Sequence, residues 1–277
     1  MTKRLIRQAG RVALEIHDRD YEIVMKKDDA GPVTEADFAL DRIIVKKLME
    51  TFPGDTIVCE ESGMSCGSSG GSSGRRGKSG ASHRIWWIDP IDGTKEFIRK
   101  NGEWCVMIGL TIRGRPRLGL IYEPIQDRLY YGIPGQGAFV QKGGGRPRRI
   151  RVNEIRSLSE ATGLGSRSHP NPNIEEFMKK SGMKHYLPVG SMGLKLAQIA
   201  EGRADVYLNF SRFTYFWDLC AGDAILQAAG GVLLTFQGKR IHYFLEPLKV
   251  PEPIASFTRL LRKPILNLLR HGAPFYT

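Results

Sequence analysis

The sequence predicts an α/β protein built in two halves that are organised differently. Near the N-terminus, apolar residues recur at helical spacing in two segments, and short apolar runs separated by glycine-rich turns follow them. After a glycine-rich break at residues 143–147, strand-like and helix-like segments alternate instead. We therefore expect an N-terminal α+β domain over residues 1–150, with two helices on an antiparallel sheet, and a C-terminal α/β domain over residues 151–277.

The two N-terminal helices are predicted from different signals. Residues 2–18 keep their apolar side chains on one helical face, which is typical of an amphipathic helix. A polar run at residues 26–31 then separates this segment from the next. There Thr34 is a good N-cap, and Asp37 at the third helical position completes a capping box. A second helix of about 16 residues should therefore follow Thr34 and pack beside the first.

Short apolar runs bounded by turn residues predict the strands of the first half. They cover residues 56–59, 86–88, 104–112, 117–122, 128–132 and 138–142. Between the first two runs, residues 63–82 are rich in Gly and Ser and have almost nothing to bury, so we expect a flexible loop without catalytic residues. Its repeat suits both a natural insertion and an engineered linker, and the sequence leaves that choice open.

The second half shows the alternation of an α/β domain. Strands are predicted at residues 162–166, 184–189, 204–209 and 232–236. Helices are predicted at residues 174–181, 191–201 and 216–229, the last ended by Gly230 and Gly231.

The stretch at residues 86–97 organises the chain. Three apolar residues lead into Asp89, and Pro90 should end the strand because proline cannot donate to a sheet ladder. Gly93 then permits a sharp turn, and Thr94 is a plausible N-cap of a short helix from Lys95. Two carboxylates this close repel each other unless a cation lies between them, so Asp89 and Asp92 suggest a divalent-metal cradle, with backbone N–H groups after it facing an anion. The simpler alternative is that both residues cap a turn.

Four further acidic residues bear on that choice. Glu60 and Glu61 end a short strand, as Asp89 does, and this shared position favours convergence on one site over a solvated pair. Asp37 either closes its capping box or points into that site from the helix N-terminus. Asp218, in the first turn of a helix, is by itself best explained as a cap.

Composition limits the classes of function. The chain has 277 residues with 41% hydrophobic and 25% charged residues, which is typical of a globular protein, and no apolar run is long enough for a membrane helix. The four cysteines form no CxxC pair, and no export signal is visible, so free thiols and a cytoplasmic protein are expected. The net charge of +12 favours anionic ligands, such as a phosphorylated metabolite, a nucleotide or nucleic acid.

Four motifs occur together and in order: Pro32-Val33-Thr34-x-x-Asp37, Glu60-Glu61-Ser62, Asp89-Pro90-Ile91-Asp92-Gly93-Thr94 and Trp217-Asp218-x-x-Ala221-Gly222. Together they closely resemble the inositol monophosphatase superfamily of magnesium-dependent, lithium-sensitive phosphatases, over about residues 5–240. The resemblance implies a five-layer αβαβα sandwich of the sugar phosphatase type, with the site between the two halves. The Gly/Ser stretch departs from the family as an insertion.

The resemblance also implies roles for single residues. Two to three Mg²⁺ ions would be held by Glu60, Asp89, the backbone carbonyl of Ile91, Asp92 and Asp218. Asp37 and Thr94 would orient and deprotonate the attacking water, and the amides of Gly93 and Thr94 would hold the phosphate. Magnesium prefers hard oxygen ligands, and such ions can neutralise the charge of a phosphate ester in hydrolysis without a Cys or His nucleophile.

The substrate is less constrained. Residues 94–98 and 101–103 look like the 3'(2'),5'-bisphosphate nucleotidase branch, which removes the 3'-phosphate of adenosine 3',5'-bisphosphate. Similarity to that branch implies that Ser166, His169 and Lys195 contact the nucleotide. Two features point elsewhere. Asn209 replaces the branch's usual Arg, and residues 190–194, which include Ser191 as a substrate contact, have the spacing of inositol phosphatases.

Alternatives therefore remain. An inositol monophosphatase is one, although Ser211 replaces the usual inositol-binding Glu, and a fructose-1,6-bisphosphatase is another. A basic, non-enzymatic nucleic-acid-binding protein belongs to a different class. The arginine clusters would supply its charge, but no aromatic residues are interleaved with them for stacking on bases, so nucleic acid is not the expected partner. The expected partner is a small phosphorylated metabolite and not a membrane, and the family allows a monomer or a homodimer.

Overall fold

The computed structural model describes residues 1–26, 31–66, 83–211, 214–250 and 252–271. The first half contributes two long helices, one short helix and the strands of the larger sheet. In chain order its elements are α1 (Thr2–His17), β1 (Ile23–Met25), β2 (Pro32–Thr34), α2 (Glu35–Thr51), β3 (Thr56–Cys59), β4 (Gly63–Cys66), β5 (Arg84–Asp92), α3 (Thr94–Ile98), β6 (Cys105–Ile112), β7 (Arg115–Glu123), β8 (Arg128–Ile133), β9 (Gly137–Lys142) and β10 (Arg148–Ile150).

The second half contributes four helices and the strands of the smaller sheet, counted over the described residues. In chain order its elements are β11 (Thr162–Ser166), α4 (Pro172–Ser181), β12 (His185–Val189), α5 (Met192–Glu201), β13 (Val206–Asn209), β14 (Thr214–Tyr215), α6 (Phe216–Ala228), β15 (Gly231–Thr235), β16 (Lys249–Val250), β17 (Ile254–Thr258) and α7 (Arg262–His271).

The larger sheet has the strand order β10-β9-β8-β7-β6-β5-β3-β4, and the smaller sheet has the order β12-β11-β13-β17-β15. The larger sheet is antiparallel as predicted, except that β3 and β5 run parallel. The smaller sheet is mixed, since β11 pairs in parallel with β12 and β13 while β17 is antiparallel to both of its neighbours.

The five-layer αβαβα sandwich is confirmed by how the side chains of each sheet divide between cores. On β5, Trp86 and Ile88 face a core shared with α1 and α2, whereas Trp87 faces the core that contains α5 and α6. This division is the alternation expected of a strand buried on both faces. The central core also takes residues from the smaller sheet, whose outer face packs on α4 and α7. Helices α5 and α6 therefore form the middle layer.

A row of glycines brings α6 close to the larger sheet. Gly109, Gly119 and Gly132 lie directly opposite one another on β6, β7 and β8. A Cβ atom at Gly119 would lie 2.0 Å from the carbonyl oxygen of Ala221, far inside contact distance. The bare backbone at this row is what allows α6 to rest against three strands.

Several sequence-based expectations need correction. The loop predicted from residue 63 begins later, because residues 63–66 form β4, which pairs with β3; residues 67–82 lie outside the described residues. Strand β5 does not stop at Pro90 but continues to Asp92, and the pairing register with β6 shifts between Asp89 and Asp92. This β-bulge accommodates the proline that lacks an N–H donor.

Smaller corrections concern element ends and elements that were not predicted. Helix α3 begins at Thr94 with Gly93 as its N-cap, one residue earlier than expected. Local patterns in the sequence do not predict the short strands β1, β2, β10, β14 and β16, the central strand β17, or helix α7. The predicted boundary near residue 150 falls between β10, the last strand of the larger sheet, and β11.

Candidate active site

Two of the predicted acidic residues meet because their strands are parallel neighbours. The register pairs Cys59 of β3 with Ile88 of β5, so Glu60 and Asp89 are the next residues on adjacent strands. The backbone N–H of Glu60 donates to the carbonyl of Ile88 at 3.1 Å, which extends the pairing to the end of β3. The strand-end positions seen in the sequence therefore correspond to one location in the fold.

Asp89 is a buried carboxyl group with one oxygen atom that makes no hydrogen bond within the described residues. Its residue is 2% exposed, and its Oδ1 atom is buried with no hydrogen-bond partner among the described residues. Burial raises the pKa of Asp89 well above its usual range, and the negative charges of Glu60, Asp92 and Asp218 raise it further. An acid in this position requires either a proton or a cation.

Asp218, on α6, interacts electrostatically with Glu60, Asp89 and Asp92, and we call these four residues the acidic cluster. It accepts a hydrogen bond from the backbone N–H of Tyr215 at 2.8 Å, so the capping role considered for it is present. Burial and the charge of Glu60 raise the pKa of Asp218 well above its usual range, although the Tyr215 hydrogen bond opposes this shift. The residue therefore caps its helix and also faces the other acids.

Asp37 closes its capping box and also interacts electrostatically with Glu61 and Glu60. Its Oδ2 atom accepts hydrogen bonds from the backbone N–H of Thr34 at 2.8 Å and from the Thr34 hydroxyl at 2.7 Å, which closes the capping box. Burial raises the pKa of Asp37 to about 7, with Glu61 and Glu60 adding to the shift and the Thr34 bonds opposing it. Asp37 can thus exchange a proton near neutral pH.

Lys26 is a site residue that the sequence did not indicate. Its ammonium group contacts Glu60 at 2.7 Å and Glu61 at 2.6 Å. Burial alone would lower the pKa of Lys26, but the two carboxylates raise it, so the group stays charged. In the sequence Lys26 is only the start of a polar run, and no local pattern links it to residues more than 30 positions away.

Asp92 is fixed by the N-terminus of α5. Its carboxylate accepts hydrogen bonds from the Ser191 hydroxyl, from the Met192 backbone N–H at 3.1 Å and from the Gly193 backbone N–H. Ser191 is fully buried and is also the N-cap of α5. The predicted substrate contact at Ser191 is therefore occupied with holding Asp92 in this structure.

The turn after Asp92 brings Ile91, Gly93 and Thr94 together. The Thr94 hydroxyl donates to the Ile91 carbonyl at 3.2 Å. Gly93 has φ of +99°, and a Cβ atom there would lie 3.1 Å from the carbonyl oxygen of Glu103, so this turn favours glycine in two ways.

The predicted nucleotide contacts divide into an exposed and a buried group. His169 is exposed, and its Nε2 atom lies 2.8 Å from Lys95 Nζ on α3, while the His169 backbone N–H donates to Ser166 Oγ at 3.1 Å. Burial and the charge of Lys95 lower the pKa of His169.

Lys195 lies on the buried side. It is 2% exposed and donates to the carbonyls of Val189 at 3.0 Å and Gly190 at 2.8 Å, and burial lowers its pKa to about 8. The sequence suggested a lysine that contacts the nucleotide, whereas the structure shows one that holds the backbone just before α5.

Two glutamates that the sequence analysis left without a role join α3 to the second half. Glu103 forms a bidentate pair with Arg167, with N–O distances of 2.6 and 2.7 Å, and also accepts from the Gly190 backbone N–H at 2.8 Å. Glu96 accepts from the Ser168 hydroxyl, which in turn accepts from Arg99 at 2.6 Å. These contacts hold Arg167 and Ser168 against α3 and the segment that follows it.

The donor set fits a hard divalent cation in its chemistry, since carboxylates predominate and one buried oxygen lacks a partner. Within the described residues, however, no three His, Cys, Asp or Glu side chains are grouped as they would be around a bound ion. Two of these acids are instead held by protein donors: Glu60 pairs with Lys26, and Asp92 accepts hydrogen bonds from the N-terminus of α5.

Two other expectations concern the whole molecule. Cys59, Cys105 and Cys220 are buried free thiols, as predicted for them. In the part of the chain that the structure describes, no helix combines the length and the apolar character needed to cross a membrane.

Comparisons with known proteins agree with this architecture. The model of the inositol monophosphatase family matches residues 1–266. The 3'(2'),5'-bisphosphate nucleotidase CysQ of Escherichia coli K12 is 34% identical over 251 residues, which cover 88% of this chain and 94% of that protein. The inositol-1-monophosphatase of Bacillus subtilis is 30% identical over 86% of this chain and 85% of its own.

A solved structure shows the same arrangement. An IMPase from Thermotoga maritima superposes with a TM-score of 0.77 at 25% identity, covering 96% of this chain and 94% of its own. The family model spans nearly the whole chain, and the alignments with the two sequence relatives cover most of it. The chain therefore belongs to the inositol monophosphatase family of phosphatases.

Proposed function

We propose that the protein is a magnesium-dependent phosphomonoesterase that hydrolyses 3'(2'),5'-bisphosphate nucleotides, with adenosine 3',5'-bisphosphate converted to AMP and phosphate. The observation that carries the metal dependence is the buried Oδ1 atom of Asp89, which has no partner among the described residues. Burial raises the pKa of this carboxyl group, and the charges of Glu60, Asp92, Asp218 and Asp37 raise it further. Burying such charge without a cation is unfavourable, and Mg²⁺ is the common divalent ion that prefers oxygen ligands.

The residues that would hold magnesium are Glu60, Asp89, the carbonyl of Ile91, Asp92 and Asp218. Bound there, two to three ions would neutralise the phosphate ester and lower the pKa of water. The helix α5 N-terminus fixes the orientation of Asp92, and the capped start of α6 fixes that of Asp218. The protein thus supplies oriented oxygen atoms from both halves of the chain.

Asp37 and Thr94 would prepare the attacking water. Asp37 has a pKa of about 7 because it is buried, so it can accept a proton from water near neutral pH. The Thr94 hydroxyl donates to the Ile91 carbonyl, so its oxygen lone pairs remain free to accept from that water. The amides of Gly93 and Thr94, at the turn into α3, would hold the phosphate.

The proposed specificity for a nucleotide with two phosphates rests on the surface next to the acids. Lys95, Arg99 and His169 lie together there, tied by the contacts of Lys95 with His169 and of Arg99 with Ser168. The cations Lys95 and Arg99 suit a second phosphate that the metal ions do not neutralise, and the His169 ring can add a hydrogen bond. The bisphosphate nucleotidases among the relatives, at up to 36% identity, support the same choice.

An inositol monophosphatase is the second candidate. It is favoured by the Gly190–Leu194 spacing and by the relative from Bacillus subtilis. Fructose 1,6-bisphosphate is a further substrate to be excluded.

A substrate panel tests the proposal. Phosphate release from adenosine 3',5'-bisphosphate, inositol 1-phosphate and fructose 1,6-bisphosphate is measured with and without Mg²⁺ and with lithium added. We expect magnesium-dependent, lithium-inhibited release that is fastest with the first compound. Preference for inositol 1-phosphate would replace the nucleotidase assignment. Failure to hydrolyse any of the three with Mg²⁺ present would refute the phosphatase proposal itself.

A further inference from the structure

A second charged site lies on the far edge of the larger sheet from Glu60 and Asp89. Here β8, β9 and β10 and the C-terminal end of α5 enclose a cavity of about 400 Å³, which we call the basic cavity. It is lined by Arg128, Val140, Lys142, Arg146, Arg148, Glu201 and Arg203. In the strand order, β8 is separated from β5 by β7 and β6, which corresponds to roughly 14 Å across the sheet.

The basic cavity has more cations than its acidic residue can balance. Five of its lining residues are Lys or Arg and one is acidic. Glu201 pairs with Arg148 and also accepts a hydrogen bond from the Tyr130 hydroxyl at 2.8 Å. Arg128 reaches Glu123, outside the lining, at 3.5 Å.

The other three cations form no direct ion pair with a described residue, although Arg203 lies near Glu123: burial raises the pKa of Glu123, and the charges of Arg128 and Arg203 oppose that shift. Within the described residues no ion pair is formed by Lys142, Arg146 or Arg203, and all three are exposed. Like charges placed around one concave surface repel each other unless an anion joins them. In this excess of positive charge the basic cavity differs from arginines that are paired with a carboxylate, such as Arg167 with Glu103.

We propose that the basic cavity is a second anion-binding site that takes a small oligophosphate, meaning a molecule with two or more linked or neighbouring phosphoryl groups. A cavity of about 400 Å³ is in the range of small-molecule sites. Three unpaired cations match an anion with about three charges, and the arginine guanidinium groups can bind phosphate oxygens in bidentate fashion. The lining contains no aromatic side chain, so a stacked nucleic acid strand fits less well.

This site is independent of the proposed hydrolysis. None of its residues belongs to the acidic cluster, and its ligand would be bound rather than cleaved. Its nearest connection to the candidate active site is α5, which ends at Glu201 in the basic cavity and begins beside Asp92.

The test is isothermal titration of the full chain with sodium tripolyphosphate, in EDTA and at constant ionic strength. Without divalent ions the acidic cluster repels anions, so the basic cavity dominates binding. The variant Arg146→Gln/Arg203→Gln is compared with Arg11→Gln/Arg156→Gln, which removes the same charge from two exposed arginines that do not line the basic cavity. Because all four residues lie at the surface, unchanged melting temperatures should confirm that both variants fold.

We expect the cavity variant to lose affinity about tenfold or more and the control variant to lose less than about threefold. Equal losses in the two variants would overturn the proposal, because binding would then follow net charge. Tight binding of a single-stranded oligonucleotide without binding of tripolyphosphate would also overturn it, in favour of a nucleic-acid surface. Saturation by inorganic phosphate at the same concentration would remove the requirement for several phosphoryl groups.

Discussion

The acidic cluster and the basic cavity lie at different places on the larger sheet and differ in the sign and the burial of their unbalanced charges. Around Asp89 the unbalanced charges are negative, buried and held by hydrogen bonds from helix termini. In the basic cavity the unbalanced charges are positive, exposed and carried by long flexible side chains. Buried charge raises the free energy of the folded chain, whereas exposed charge is screened by water and salt. The comparison indicates that the acidic cluster costs stability for the sake of function, while the basic cavity costs little.

The strongest test of this contrast separates activity from stability. Replacing Asp89 with Asn removes a buried acid that must bind a proton or a cation to be stable next to Glu60, Asp92 and Asp218. We therefore expect phosphatase activity to fall at least about 10³-fold while the metal-free melting temperature rises. Activity assays and calorimetry in EDTA measure the two effects.

Asp205 provides the matched control for that variant. It is equally buried, but it is satisfied by the Thr162 backbone N–H at 2.8 Å and by Asn153 at 2.9 Å. We expect Asp205→Asn to lower the melting temperature and to leave kcat nearly unchanged. If Asp89→Asn lowered the melting temperature as much as Asp205→Asn, the claim that Asp89 destabilises the metal-free protein would be wrong.

The second prediction concerns the helix that carries Asp218. Gly119→Ala would place Cβ 2.0 Å from the Ala221 carbonyl oxygen and push α6 away from the sheet. We expect a loss of about 3 kcal/mol in the free energy of unfolding, with a lower kcat as Asp218 moves. Gly144→Ala is the control, because no atom lies within 4 Å of a Cβ atom there and φ is not positive. Equal effects of the two substitutions in urea unfolding would contradict the role of the glycine row.

A third prediction uses pH. The folded pKa of Asp37 is about 7, above the ordinary value of 3.8, so the folded state binds the proton more tightly than the unfolded state. The stability contributed by this group is present below about pH 4 and is lost as pH rises through 7. In EDTA, wild-type stability should therefore fall more steeply between pH 5 and about 8 than that of Asp37→Asn. Parallel profiles of stability against pH for the two proteins would show that the pKa of Asp37 is not raised in the folded state.

The smallest effect is expected at Lys26, which already compensates two of the acids. Lys26→Gln leaves Glu60 and Glu61 without their contacts at 2.7 and 2.6 Å, so the metal-free protein should lose about 1 kcal/mol of unfolding free energy. Lys47→Gln, at the exposed pair with Glu50, is the control and should change stability by less than half as much. Urea unfolding in EDTA measures both.

Local patterns in the sequence predicted most elements and the central acids. Glu60 and Asp89 were recognised because apolar runs stop there, and the parallel register of β3 and β5 made them neighbours, although β5 itself continues to Asp92. Contacts between distant segments were not predictable in this way. Lys26 reaches Glu60 across 34 positions, and β17 inserts between two strands that precede it in the chain.

Burial in the middle layer explains the other differences. A lysine and a serine at the start of a helix are usually exposed, and the sequence offered no sign that α5 lies between two sheets. That position buries Ser191 and Lys195 and directs their polar atoms to Asp92 and to backbone carbonyls. The five-layer arrangement followed from the family resemblance and not from the local periodicity of α5.

Helix α5 spans roughly 15 Å and is fastened at both ends to charged groups. Its first turn grips Asp92, and its last residue is gripped by Arg148 and Tyr130. Because α5 is a continuous helix, a shift along its axis would change its contacts with Asp92 at one end and those of Glu201 at the other. Substitutions that remove the contacts of Glu201 would therefore free the outer end of the same helix whose first turn orients Asp92.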